Sequence, residues 1–313
     1  MITLGYNGRR GVNLSSLGNY NTPKFQFNGV SLELPPGPAV VPNAGYKRIQ
    51  YVNNNTNSWY NGFTAALQRR FSAGLQAQIS YTYSKALSEA DGADTGNHVS
   101  SGGSGSLKYP YDLSAGKGLS GYHLTNTFTA SYSYDLPFGR GMNGWTGHLA
   151  AGWQVTGILT FQDGQPFTLR ATSPTAIQDF IGLATPNVVP GFTHDQIIKG
   201  VPEGWFTLDA YRQPGLREMG NLARNPLIGP GRAQWDFGLT KNTRLTERYN
   251  LQFRLEAFNV LNRVNFAAPG QIANSAANNT VFTRAGAPIP SATVITQTAT
   301  TSRQIQFGLK LTF

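Results

Sequence analysis

The four histidines, His98, His123, His148 and His194, are the first candidates for metal chemistry, because neutral imidazole is a common metal ligand. They lie far apart, and none has the close second ligand that a zinc site requires. The stretch EADGADTGN, residues 89–97, gathers the oxygens of Glu89, Asp91, Asp94 and Asn97, ligands of the kind calcium takes. Their spacing is not that of an EF-hand, and a solvated loop is the simpler expectation. SAGKGLSG, residues 114–121, sets glycines around a lysine as a phosphate-cradling loop does. Lys117, however, is followed by Gly118 rather than Ser or Thr, and no strand–loop–helix unit surrounds it. SGGSGS, residues 101–106, reads as a flexible tip. No nucleophile and base stand together, so the chain is read as no enzyme, with no catalytic, cofactor or metal residues. The remaining group is Arg254, Glu256 and Lys310 on alternating segments near the C-terminus, read as inward, lumen-facing charges, where Arg254 and Glu256 could pair with Lys310 as charge balance.

The elements that would position these groups follow from composition and period. The chain has 313 residues and 40% hydrophobic residues, yet only 13% charged ones, about half the usual share. Glycine (36 residues) and small polar residues take the place of charge. A soluble surface carries more charge than this, so part of the polar surface is expected to face something other than bulk water. The net charge of +10 comes from Lys and Arg scattered singly or in pairs such as Arg9-Arg10 and Arg69-Arg70. That scatter excludes the single basic face of a nucleic-acid binder. With no cysteine, disulfides and thiolate metal sites are ruled out. No run approaches the roughly 20 apolar residues of a membrane-spanning helix.

The dominant period is two. RQIQFGLKLTF (303–313) sets Ile305, Phe307, Leu309, Leu311 and Phe313 against Gln304, Gln306, Gly308, Lys310 and Thr312. NGFTAALQRRF (61–71), LQAQISYTYSK (75–85), NTFTASYSYDL (126–136), WQVTGILTF (153–161), WDFGLT (235–240) and NLQFRLEAF (250–258) alternate likewise. Ile158 alone interrupts the polar face of its segment. Segments of about ten residues exceed the usual length of soluble strands and match a tilted strand crossing hydrocarbon. Their polar faces hold Ser, Thr, Gln and Gly rather than Lys and Glu. Trp59, Phe71, Tyr83, Phe138, Trp153, Phe161, Trp235 and Phe313 sit near segment ends, where aromatic girdles lie. Every backbone group in lipid must be paired, so strands span only within a barrel.

The expected fold is therefore all-β: an antiparallel up-and-down transmembrane β-barrel segment of about eight strands with long outer loops. The strands fall at about 2–13, 58–71, 74–87, 121–136, 149–163, 232–246, 249–262 and 302–313. Their links alternate: about 14–57, 88–120, 164–231 and 263–301 are long, while those near 71–74, 137–147 and 246–248 are short. Outer-membrane barrels have short periplasmic turns and long outer loops, which would put this C-terminus in the periplasm.

The ending QFGLKLTF is similar to the C-terminal signal of bacterial outer-membrane barrels, with Gln306, Gly308, Leu311 and Phe313 in its characteristic places. The resemblance implies that the barrel-insertion machinery reads this strand. YNGFTAALQRRFSAGLQAQISYTYSKALS, YDLPFGRG, GWQVTGILTFQDGQPFTL and RLTERYNLQFRLEAFNVLNRVNF resemble the barrel of TonB-dependent transporters of the Oar-like type, over most of residues 46–313. The resemblance implies uptake of a bulky solute through the bacterial outer membrane, driven from the inner membrane through a plug. Such transporters have about 22 strands, and neither a plug nor a TonB box is found here. Residues 1–313 are accordingly read as a partial barrel domain without plug or signal peptide, Met1 being an internal start. Expected partners are outer-membrane lipid, the insertion machinery and, through the plug alone, the inner-membrane energy-coupling protein; nucleic acid is not one. A stand-alone small barrel or porin-like channel is the alternative. A secreted β-rich adhesion protein comes after it, since it leaves the strand length and the terminal aromatic unexplained.

Overall fold

The computed structural model describes residues 1–90, 107–139, 141–142, 144–172, 176–177, 180–181, 184–270 and 279–313. The alternating segments form eight long strands: β1 (Ile2–Asn19), β2 (Gln50–Ser72), β3 (Leu75–Ser88), β4 (Asn126–Asp135), β5 (Trp153–Gln162), β6 (Arg232–Arg244), β7 (Asn250–Phe258) and β8 (Gln304–Thr312). They pair in chain order, each antiparallel to the next, in one sheet that a short strand at Gly118–Leu119 joins beside β3. Among the described residues β1 and β8 do not pair with each other, so the sheet is open at both edges.

Register carries the period of two across the whole sheet, because residues directly opposite share a face. One row runs Leu67, Ile79, Ala130, Leu159, Trp235, and the row beside it on the other face runs Gln68, Gln78, Ser131, Ile158, Asp236. Phe253 and Phe307 fall on the apolar side, their rings stacked 6.2 Å apart. Tyr132 lies across from Gly157, and a Cβ on that glycine would stand 2.4 Å from the ring. The phenol covers the gap the glycine leaves. The apolar face is bare: Phe63 is 43%, Leu67 46% and Phe307 69% exposed. An apolar surface this continuous marks a membrane- or partner-facing side.

Five boundaries differ from the sequence reading by four residues or more, among them the start of β4, at Asn126 rather than near 121. β1 and β2 continue well past residue 13 and begin well before residue 58, and their extension mixes Leu17 opposite Val52 with polar pairs, without a continuous apolar face. There Ser15 Oγ donates to Asn54 Oδ1 (2.8 Å) and Ser16 Oγ to Asn55 Oδ1 (2.9 Å). β7 stops at Phe258 rather than 262, because Asn259 turns the chain at φ 50°. Residues 149 and 150, read as the start of a strand, close a short helix, α1 (Gly144–Ala150), inside the β4–β5 link.

The hydrophobic core lies off the sheet. Apart from Ala233 and Ala257, every buried apolar residue among those described sits in a strand-connecting segment. Phe167, Leu169, Phe206, Tyr211, Leu227, Val281 and Phe282 form one cluster, joining the β5–β6 and β7–β8 links. Phe25, Leu34, Tyr109, Ile177, Ile181 and Met219 form a second, joining the β1–β2, β3–β4 and β5–β6 links. The described parts of the four long links thus form a packed cap.

Candidate functional site

Alternation delivers a polar wall on one face of the sheet, and small side chains leave a hollow in it. Gln68, Gln78, Ser131, Ser133, Thr156, Asp236 and Glu256 line a depression of about 450 Å³. Its acids are held by amides. Asp236 accepts from Gln234 Nε2 at 2.9 and 3.1 Å and from the Asn259 backbone N–H at 2.8 Å. Glu256 accepts from Gln306, its direct neighbour on β8. Beside them Gln154 Nε2 donates to Asp135 Oδ1 at 2.7 Å, and Arg254 Nε to Gln252 Oε1 at 2.6 Å. Such a surface offers donors and acceptors to a hydroxyl- or amide-bearing solute, or to a polar protein element. Among the described residues no His, Asp or Glu cluster could hold a metal ion.

The cap is tied to this wall by side chains that satisfy turns. Asn259 Nδ2 donates to the Arg263 and Thr301 carbonyls at 2.9 and 3.2 Å, while Asn265 Oδ1 accepts from the Ala233 N–H at 2.9 Å. Arg217 reaches across the cap to the carbonyls of Leu34 (2.8 Å), Pro35 and Gly37 (2.8 Å). Desolvation pushes the neighbouring Glu218 carboxyl up. Hydrogen bonds from the Gly215 N–H, Asn187 and Asn28, with Arg212 nearby, outweigh it and hold the group below the usual carboxylate range. Lys108 is the opposite case: burial pulls its ammonium down to about 8. Its Nζ donates to the Leu222 carbonyl (3.0 Å) and Thr185 Oγ1 (3.3 Å). At the loop end of the sheet, Nδ1 of buried His123 accepts from the Ala86 N–H at 3.2 Å, and burial first, then Lys85, lowers its pKa.

The sequence-derived candidates are placed as follows. Arg254, Glu256 and Lys310 share the polar face, but no ion pair joins them among the described residues: Lys310 faces Gln252, Arg254 faces Gly308 and Glu256 faces Gln306. Register separates Glu256 from Lys310 by two rows, so the expected charge balance is replaced by amide contacts. Of the insertion-signal residues, Gln306 and Gly308 lie on the polar face and Leu311 on the apolar face of the edge strand β8, and Phe313 just beyond it is 91% exposed. Lys117 of the glycine-rich stretch holds no phosphate loop: its Nζ sits 4.2 Å from the Trp59 ring centroid, with Arg10 5.9 Å away. Glu89 accepts from the Asn57 N–H (2.8 Å) and Nδ2 (3.0 Å). Asp91, Asp94, Asn97, His98 and the 101–106 stretch lie outside the described residues. Sequence reasoning missed Lys108, Arg217 and Glu218, whose only signal was a charge next to apolar singles in a long link.

Residues 1–306 match the outer membrane beta barrel domain family. No curated protein matches the chain. Among solved structures the chain is similar to the outer membrane transporter YddB from Escherichia coli, at 12% identity and a TM-score of 0.43. That likeness covers 99% of this chain and 30% of the other, so the chain spans about a third of that transporter's length. With the match running across nearly all of its sequence, the chain belongs to the outer membrane beta barrel domain family.

Proposed function

We propose that residues 1–313 form one wall and the outer cap of a wide outer-membrane transporter barrel, similar to the C-terminal part of a TonB-dependent, Oar-like transporter. The observation that carries this reading is the open sheet, with both β1 and β8 lacking a partner among the described residues. An unpaired strand edge is not tolerated in lipid, so further strands must complete it. The hollow of about 450 Å³ on the polar face supports the same view. A closed eight-stranded barrel is filled by its own side chains, whereas this face is lined by Ser, Thr, Gln and Gly.

In this reading the polar face, with Arg254, Glu256 and Lys310, looks into a lumen through which a bulky solute passes, and the cap lies outside. The C-terminus is periplasmic, and the barrel-insertion machinery engages Gln306, Gly308, Leu311 and Phe313. The wall performs no chemistry. Energy arrives from the inner membrane through a plug outside this segment. The test is to export residues 1–313 behind a signal peptide and follow heat-modifiable migration, with cysteines placed on β1 and β8. Failure to form a heat-modifiable monomer, and no β1–β8 disulfide, is the expected result. A stable heat-modifiable monomer whose β1 and β8 cross-link overturns the reading in favour of a self-closed small barrel.

A further inference from the structure

The β4–β5 link is where the apolar side of the sheet meets an exposed helix. From Leu136 to Trp153 the sequence contains no Asp or Glu. α1 puts Trp145 and Leu149 four residues apart, one turn above the other on the same side. They are 86% and 71% exposed, and Phe138 and Met142 earlier in the link are also bare. Gly147, on the opposite side, is buried: a Cβ there would lie 2.3 Å from the Met142 carbonyl. The helix is therefore inverted relative to one that packs on a core. It turns its smallest residue to the protein and its largest apolar ones outward.

Its attachment shows which side of the sheet it follows. Trp153 Nε1 donates to the Leu149 carbonyl at 2.9 Å, and Lys241 Nζ donates to the Ala151 carbonyl at 2.5 Å. Trp153 and Lys241 stand opposite each other on the apolar face, in the row that continues to Phe253 and Leu309. Lys241 Nζ also lies 5.8 Å from the Trp153 ring centroid. Both fastenings come from the apolar face, at its short-link end, so the exposed side of α1 continues that face outward.

We infer that α1 is a membrane-surface anchor, seated in the headgroup and upper acyl zone of the bilayer at the short-link end of the sheet. Trp145 and Leu149 are its buried contacts and Lys241 fixes its C-terminal end. Tryptophan favours this zone, and a cation at a helix C-terminus is favourable in itself. A helix with a bare apolar side gains affinity for such a surface from the area it buries there. The absence of acidic residues removes the groups that anionic headgroups would repel.

The test uses the full barrel that carries these residues, reconstituted in phosphatidylethanolamine–phosphatidylglycerol vesicles. Nitroxides are placed at Trp145→Cys and Leu149→Cys, with Phe63→Cys as the lipid reference and Tyr20→Cys as the aqueous one. Labels at 145 and 149 are expected to collide with oxygen in preference to a nickel chelate, as at 63. Brominated lipid is expected to quench more emission from the unlabelled protein than from Trp145→Phe. Labels at 145 and 149 that favour the nickel chelate, as at 20, overturn the inference. So do labels shielded from both reagents, which would mean a protein covers the helix, and so does equal quenching in the two proteins.

Discussion

Replacing Lys108 by Met tests whether the cap is held together against an electrostatic cost. The ammonium sits between links with two neutral acceptors and, among the described residues, no carboxylate bonded to it, and burial lowers its pKa from 10.5 to about 8. That depression corresponds to a cost of about 3 kcal/mol for keeping the charge in the closed cap. The sign follows from linkage. Below pH 8 the lysine is charged whether the cap is closed or open, so the full cost applies; between pH 8 and 10.5 only the open form stays charged, and closure strengthens as pH rises. Met is close in length and removes the charge, but it takes away the hydrogen bonds to the Leu222 carbonyl and the Thr185 hydroxyl, at about 1 kcal/mol each. The net expectation is a cap more stable by about 1 kcal/mol at pH 7, slowing amide exchange in residues 107–113 and 217–222 about fivefold. Wild-type protection, corrected for intrinsic exchange, should rise between pH 8 and 10 while that of Lys108→Met stays level. Faster exchange in the variant, or equal pH dependence in both proteins, would refute the reasoning.

Other expectations concern the wall and its attachment. Ile79→Arg, on the apolar face, should destabilise the folded barrel by about 2–4 kcal/mol in urea titrations from vesicles, and Ser80→Arg on the polar face by much less; equal losses would contradict the assignment of faces. Deleting Phe313 from the parent barrel should lower outer-membrane yield without lowering synthesis, measured by fractionation and pulse labelling, and an unchanged yield would remove the insertion role. Burial keeps His123 neutral, so docking of residues 118–126 should be complete above pH 6.5 and weaken as pH falls through it. Limited proteolysis at pH 7.5 and 5.5 should show this in the wild type and not in His123→Gln.

The sheet was legible because alternation is imposed on every strand with one apolar and one polar side. Where that condition lapses, the signal lapses with it. In LSSLGN and QYVNNNTN the apolar residues Leu14, Leu17, Tyr51 and Val52 keep no period of two, and only cross-strand contacts such as Ser15–Asn54 reveal the pairing. The helix in GWTGHLA hides behind its glycines, and Asn259 ends β7 through a positive φ that composition alone does not specify. The cap core was illegible for a different reason. Phe25, Tyr109, Ile177 and Met219 are single apolar residues without period, and they meet only because separate links converge. Of the polar wall, the residues and their common face were readable. Their partners were not, since the choice of Gln306 over Lys310 for Glu256 is a matter of register.

With the cap placed outside the cell as proposed, its shared core also decides what an antibody would recognise. The β5–β6 link contributes to both clusters, so no link can be lifted out without unpacking another. The cap's antigenic surface is consequently discontinuous, assembled from stretches separated by as many as 183 residues, as in the Arg217 contacts with Leu34 and Gly37. Antibodies raised against the native protein should ignore synthetic peptides copied from single loops, and sera raised against such peptides should stain only denatured protein.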